Sequence, residues 1–259
     1  MAKGNRGGRR GQTPYTVLKQ VVQPDDDQQT QPTPQPAPQP QSNPQYDAFM
    51  KMNDDQKAQT IVTLMKQGVP DHLNANSSLQ RLMYNMGYVQ KPTMVDDATL
   101  ASTPGKDLYR AVNEDYNSAK DLHYTAPEIA QQIFKGSHTM ISDDGSAAYG
   151  DGLYHAGSYA GCRPYGHTYN NLTKTCVLHG KISPNAKLMS YSNANNAVYR
   201  EIQSGSKLGK ALAACNYSAR ESVYAFSKGY DGIYDRRADY YSIWNRGVVT
   251  YSKTIRTKT

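Results

Sequence analysis

The chain has no apolar run approaching the roughly 18 residues that a membrane-crossing helix needs, so no membrane contact is expected. Its start, Met1-Ala2-Lys3-Gly4-Asn5-Arg6, lacks the apolar middle of a secretion signal, and a soluble protein that works where it is made is the expectation. Cysteine is scarce, 3 residues in 259, and Cys162, Cys176 and Cys215 show no Cys-x-x-Cys spacing. A disulfide scaffold and a zinc cluster are thereby disfavoured, and a reducing compartment is expected. His123, His138, His155, His167 and His179 are scattered without ligand spacing, so no metal site is expected. Phenylalanine and tryptophan are also rare, 3 and 1, against 21 tyrosines. Most aromatic surface therefore carries a hydroxyl, which suits wet clefts and half-exposed strands better than a dry core.

What is present is unevenly distributed. The net charge of +7 favours anionic partners, and the cations crowd both ends: Lys3, Arg6, Arg9 and Arg10 among glycines, and Arg246, Lys253, Arg256 and Lys258 at the other terminus. Residues 1–45 read as a disordered basic and Gln/Pro-rich arm, because residues 25–44 hold too few apolar groups to offset the entropy of ordering. Within that arm, residues 15–22 form a short apolar segment that reads as a lone strand or a docking peptide.

Residues 46–100 read as a small helical module. Asn53 and Gln56 form a capping-box pattern ahead of the stripe Ala58, Ile61, Val62 and Met65, which stops at Gly68 and Pro70. Ser77 or Ser78 then caps a second helix, with Leu79, Leu82, Met83 and Met86 at helical spacing and Gly87 at its end. Both stripes are core-facing by this reading. Residues 101–259 carry short branched or aromatic runs broken by glycine and asparagine, as in an α+β domain. Strands are expected near 108–112, 152–156, 175–182, 232–234, 240–244 and 248–252, and helices near 126–135, 194–203, 207–215 and 220–227.

Tyr149-Gly150-Asp151-Gly152-Leu153-Tyr154-His155-Ala156 holds two glycines that let the backbone approach a ligand, and Tyr165 follows Tyr154 eleven positions later. Two phenol rings could flank a flat heterocycle. His155, directly after Tyr154, alternates to the opposite strand face and reads as a surface histidine. Upstream, Leu108-Tyr109-Arg110-Ala111-Val112 sets one guanidinium into an apolar strand, where it could grip phosphate or ribose oxygens in a fork.

These two segments resemble the first and second motifs of the ADP-ribosyltransferase superfamily, the second most closely in its poly-ADP-ribose polymerase form. Cys176-Val177-Leu178-His179-Gly180-Lys181-Ile182 with Pro184-Asn185-Ala186-Lys187 resembles the family's central strand and a turn seen in bacteriophage-borne members. Gly229-Tyr230-Asp231-Gly232-Ile233 and Asp239-Tyr240-Tyr241-Ser242-Ile243-Trp244-Asn245 resemble its closing hairpin. The landmarks span roughly residues 105–255.

The resemblance implies a split two-sheet domain that holds NAD in a cleft, breaks the ribose–nicotinamide bond and passes ADP-ribose to a protein or nucleic-acid acceptor. It implies that Arg110 holds the phosphates or the nicotinamide-side ribose, that Gly150 and Gly152 let the ligand approach, and that Tyr154 and Tyr165 flank the nicotinamide. Family members use a glutamate to fix the ribose 2′-hydroxyl. Here the ungapped match gives Tyr240, the nearest acid is Asp239, and Asp231, Asp235, Glu201 and Glu221 are further candidates. Arg110 also stands where the polymerase group has histidine. A phage-encoded protein in the host cytoplasm is implied. Two other readings stay open on the residues: an inactive relative acting as a virion protein, its arm tethering it to capsid or packaged nucleic acid, or a nucleic-acid-binding module.

Overall fold

The computed structural model describes residues 16–18, 43–69, 77–113, 115–117, 122–136, 152–162 and 175–257. The basic and Gln/Pro-rich arm lies outside them, apart from strand β1 (Thr16–Leu18) and the residues from Asn43 onward.

Three helices follow β1: α1 (Pro44–Lys51), α2 (Asp54–Lys66) and α3 (Ser78–Asn85). The capping box forms as expected, with Gln56 N donating to Asn53 Oδ1 at 2.9 Å and Asn53 N donating to Gln56 Oε1 at 3.0 Å. Ser77 is the residue that caps α3. After β2 (Thr93–Val95) and α4 (Asp97–Ser102) come β3 (Lys106–Asn113), the ladder of β4 (Asp115–Asn117) with β5 (Leu122–Tyr124), and α5 (Ala126–Phe134). Then follow β6 (Leu153–Ala156), α6 (Tyr159–Cys162), β7 (Thr175–Ile182) and β8 (Leu188–Ser190). The chain closes with α7 (Tyr191–Ser204), α8 (Lys207–Ala213), α9 (Arg220–Ser227), β9 (Gly232–Asp235), β10 (Tyr240–Ile243), β11 (Val249–Ser252) and β12 (Ile255–Thr257).

The fold is mixed α/β around a mixed sheet. Ten strands join in one sheet in the order β1-β12-β7-β3-β6-β10-β9-β8, with β11 inserted against the far half of β7 and β2 paired to β11. The apolar segment near the N-terminus contributes β1, antiparallel to β12 with Val17 opposite Arg256.

Strand alternation divides this sheet into two faces. Leu108 and Val112 of β3 and Cys176, Leu178 and Ile182 of β7 point the same way, and with Leu153, Ile243, Val249 and Tyr251 they bury against α5 through Ile129, Ala130 and Ile133. The opposite face meets α6 and the other helices. There Ile233 and Trp244 join Phe49, Ile61, Leu79, Leu82, Leu208, Leu212 and Phe226 in one core. Each such fully buried side chain stabilises the fold by about 1.5–3 kcal/mol.

That second core is shared by α1–α3 and α7–α9, so the residues read as a small helical module pack in one core with Ile233 and Trp244. Lys57 reinforces the joint: its ammonium is buried and donates to Ser227 O at 2.9 Å, at the C-terminal end of α9, where carbonyls lack helical partners.

Candidate active site

The segments singled out in the sequence are neighbours in the sheet. β6, from Gly-Asp-Gly-Leu-Tyr-His-Ala, lies between β3, which carries Arg110, and β10, which follows Asp239; Tyr109 pairs with Ala156 and Tyr241 with His155. Gly152 is needed for this closeness, since a Cβ there would lie 3.1 Å from Ile243 N. Gly150 and Tyr165 lie outside the described residues.

Register decides what each side chain can reach. With Tyr109 opposite Ala156, the residues alternating with them, Arg110 and His155, share the α5 face, while Tyr154 turns to the α6 face opposite Ser242. Arg110 reaches Tyr154 through its backbone: Arg110 Nη1 donates to Tyr154 O at 2.8 Å. A single ligand whose phosphates or ribose Arg110 holds while the Tyr154 ring flanks its nicotinamide, as the resemblance implies, does not fit this arrangement.

Arg110 is a cation in search of an anion. Its Nε is sealed from solvent without a hydrogen-bond partner, Nη1 has only a carbonyl, and no carboxylate pairs with it among the described residues. Burial holds its pKa below the usual arginine range, with Tyr251, Cys176 and Tyr154 pulling the other way. A second buried guanidinium lies nearby on Arg246, whose Nη1 donates to Ile133 O at 3.3 Å near the C-terminal end of α5. That placement gives Arg246 the favourable end of a helix dipole.

His155, expected at the surface, is fully buried between these cations. Its Nδ1 is 2.8 Å from Leu153 O, which can only accept, so Nδ1 carries the proton and Nε2 accepts from the Tyr251 hydroxyl. Burial, then the charge of Arg110, depresses the imidazole to about 3, so it is neutral. Burial likewise pushes the Tyr251 phenol up to about 12 against the pull of both arginines. Tyr251 reaches His155 by crossing over Gly180, where a Cβ would lie 2.7 Å from the ring.

Asp239 stands on the same side as Arg110, at the margin of the α5 face. It has φ +53°, the left-handed region that costs a non-glycine residue on the order of 1 kcal/mol. Its Oδ1 accepts from Lys106 Nζ at 2.7 Å, and its backbone O accepts from Gly157 N at 2.9 Å. Lys106 Nζ also donates to the Tyr241 hydroxyl at 2.5 Å and lies 4.9 Å from that ring's centroid. Tyr234 runs alongside Tyr241, centroids 6.3 Å apart and planes 21° apart. This group of Lys106, Asp239, Tyr241 and Tyr234 was not legible in the sequence. Lys106 is 133 positions from Asp239, and only the β3–β6–β10 pairing brings them together.

The other acids are occupied structurally. Asp231 ties β8 to β10, with Oδ2 accepting from Lys187 N at 2.7 Å and Oδ1 from Asn245 Nδ2 at 2.6 Å. Asp235 accepts from Arg237 N at 2.7 Å inside the hairpin turn. Glu201 accepts from Ser206 Oγ at 2.7 Å across the α7–α8 turn. Glu221 is buried in the first turn of α9, and burial raises its pKa. Of these candidate acids, Asp239 combines a half-exposed carboxylate with the face that Arg110 occupies.

On the α6 face, Tyr109 stacks on His179 at 4.6 Å and 1°, and meets Tyr159 edge-on at 5.9 Å. His179 Nε2 pairs with Asp107 at 2.9 Å. Tyr240 OH donates to Gly161 O at 2.7 Å, which pins α6 over Ala156. The aromatic groups on this face hold α6 in place. No group of three or more histidines, cysteines or acids suited to a metal occurs among the described residues. No helix among them is long and apolar enough to cross a membrane. Compared with protein-family models, curated proteins and solved structures, the chain matches none.

Proposed function

We propose that the chain is an ADP-ribosyltransferase that takes NAD as substrate and passes ADP-ribose to a protein or nucleic-acid acceptor, with the ligand on the α5 side of the sheet. The observation that carries this reading is the guanidinium of Arg110, whose Nε has no hydrogen-bond partner, on a strand two places from the one that follows Asp239. Arg110 is partly exposed while its Nε is buried without a partner, and an anionic ligand offsets the cost of that unmet donor. Arg110 holds a phosphate oxygen in this reading.

Asp239 takes the role of the family's glutamate. As the C–N bond to nicotinamide breaks, the electron pair leaves with nicotinamide, and positive charge develops on the ribose. A carboxylate that accepts from a ribose hydroxyl offsets that charge. The acceptor then forms the new bond to the anomeric carbon and releases its proton. Tyr241 and Tyr234, not Tyr154, are the aromatic side chains beside Asp239. Tyr154 contributes its carbonyl, which fixes the Arg110 fork. The adjacency of the strands carrying the three motifs also supports the reading.

The test is release of free nicotinamide from NAD by the full chain, with Arg110→Ala and Asp239→Asn as controls. Wild-type turnover lost by at least about a hundredfold in both variants supports the reading. No nicotinamide and no NAD-induced rise in melting temperature would overturn it and leave a binding or virion role.

A further inference from the structure

We propose that Lys106, Asp239 and Tyr241 form a subsite for the hydroxyls of a ribosyl group, in which Lys106 is the positioning residue. The inference rests on the transferase reading and adds two residues that the motifs do not contain.

Lys106 contacts both polar groups at once. Its ammonium donates to Asp239 Oδ1 at 2.7 Å and to the Tyr241 hydroxyl oxygen at 2.5 Å. Asp239 Oδ2 has no partner among the described residues, so one carboxylate oxygen is held while the other is available to accept. The Tyr241 oxygen accepts a hydrogen bond from Lys106 and keeps its own O–H to donate. An acceptor and a donor held side by side by one cation match the paired hydroxyls of a ribose.

Stability does not account for this arrangement. The Lys106 and Asp239 side chains are 51% and 45% exposed, and ion pairs that wet contribute little to folding. Asp239 nevertheless adopts φ +53°, and Gly157 forgoes a side chain beneath its carboxylate. Strain of this kind persists where the surroundings dictate it, and it concentrates at functional sites.

Spacing on β3 supports the same assignment. Lys106 and Arg110 lie on one face four residues apart, which at about 3.4 Å per residue separates their backbones by about 14 Å. One strand thus supplies a cation for an anionic group and, further along, a cation that arranges a sugar-binding pair. The shorter reach of aspartate relative to glutamate is met by fixing the carboxylate rather than lengthening it.

The experiment compares kcat and KM for nicotinamide release by wild type, Lys106→Met, Lys106→Arg and Tyr241→Phe, with circular dichroism and melting temperature recorded for each. Misplacement by about 1 Å costs on the order of a hundredfold in rate. Lys106→Met is therefore expected to lower kcat by about 10- to 100-fold with KM changed less than about threefold, and Lys106→Arg to recover most of the loss. Wild-type turnover with Lys106→Met unchanged, or a loss in Lys106→Met that Lys106→Arg shares in full, overturns the positioning role alone. Absence of turnover in wild type overturns it together with the transferase reading.

Discussion

A methyl group on Gly157 would lie 2.6 Å from Cγ of Asp239, so the glycine and the aspartate compete for one volume. The carboxylate is at the end of a short side chain and can move away, whereas the Gly157 N to Asp239 O bond at 2.9 Å involves no side chain. Gly157→Ala is expected to leave melting within a few degrees of wild type while breaking the Lys106–Asp239 contact. Nicotinamide release should fall about 10- to 100-fold. Assay and melting curve together check both halves, and a variant with wild-type turnover would refute the steric argument.

Gly180 presents the opposite case. A Cβ there would meet the Tyr251 ring at 2.7 Å and Thr250 O at 2.8 Å, and the carbonyl is part of the β7–β11 pairing and cannot turn aside. Gly180→Ala is expected to destabilise the fold by about 1–3 kcal/mol, read as a lower urea midpoint with the slope unchanged.

His155 gives stability a pH dependence of determinate sign. It titrates near 6.5 when exposed, and burial followed by the charges of Arg110 and Arg246 lowers it to about 3 in the fold. Between those values the unfolded chain binds a proton that the folded chain excludes. Stability therefore falls as pH drops from 6.5 toward 3, by up to about 1.4 kcal/mol per pH unit from this residue. Urea midpoints measured from pH 7 to pH 4 should fall less steeply for His155→Gln than for wild type. Parallel pH profiles would mean that the imidazole is not held neutral.

The thiols should be inert. Cys162, Cys176 and Cys215 are all buried and in no disulfide, and burial pushes Cys176 up to about 12 despite the pull of Arg110. The native protein is expected to show almost no reaction with a thiol-specific chromogenic disulfide at pH 8, and 3 equivalents after guanidinium denaturation. Rapid labelling of one equivalent in the native state would show that a cysteine is accessible.

Local order was readable along the chain. Asn53 and Gln56 announce a helix start because a cap needs only residues three apart, and the apolar stripe after them buries as the 3.6-residue period requires. The runs near 175–182 and 220–227 form strand and helix with those bounds. Less was visible where elements are short. β2, β8, β12, α4 and α6 are three to six residues long, too brief for a period to emerge.

The amino-acid sequence on its own determined the longer strands and helices, and that Arg110 is the lone charge in the apolar run 108–112. Tertiary structure alone decided the company it keeps. A strand's period of two says that neighbours point apart, but which of two strands' side chains share a face depends on their register, and a shift by one residue reverses it. The Tyr109–Ala156 pairing put His155 beside Arg110 and sent Tyr154 to the other side. The same pairing carried Lys106 to Asp239 across 133 positions, because contacts between strands are set by which edges meet and not by distance along the chain.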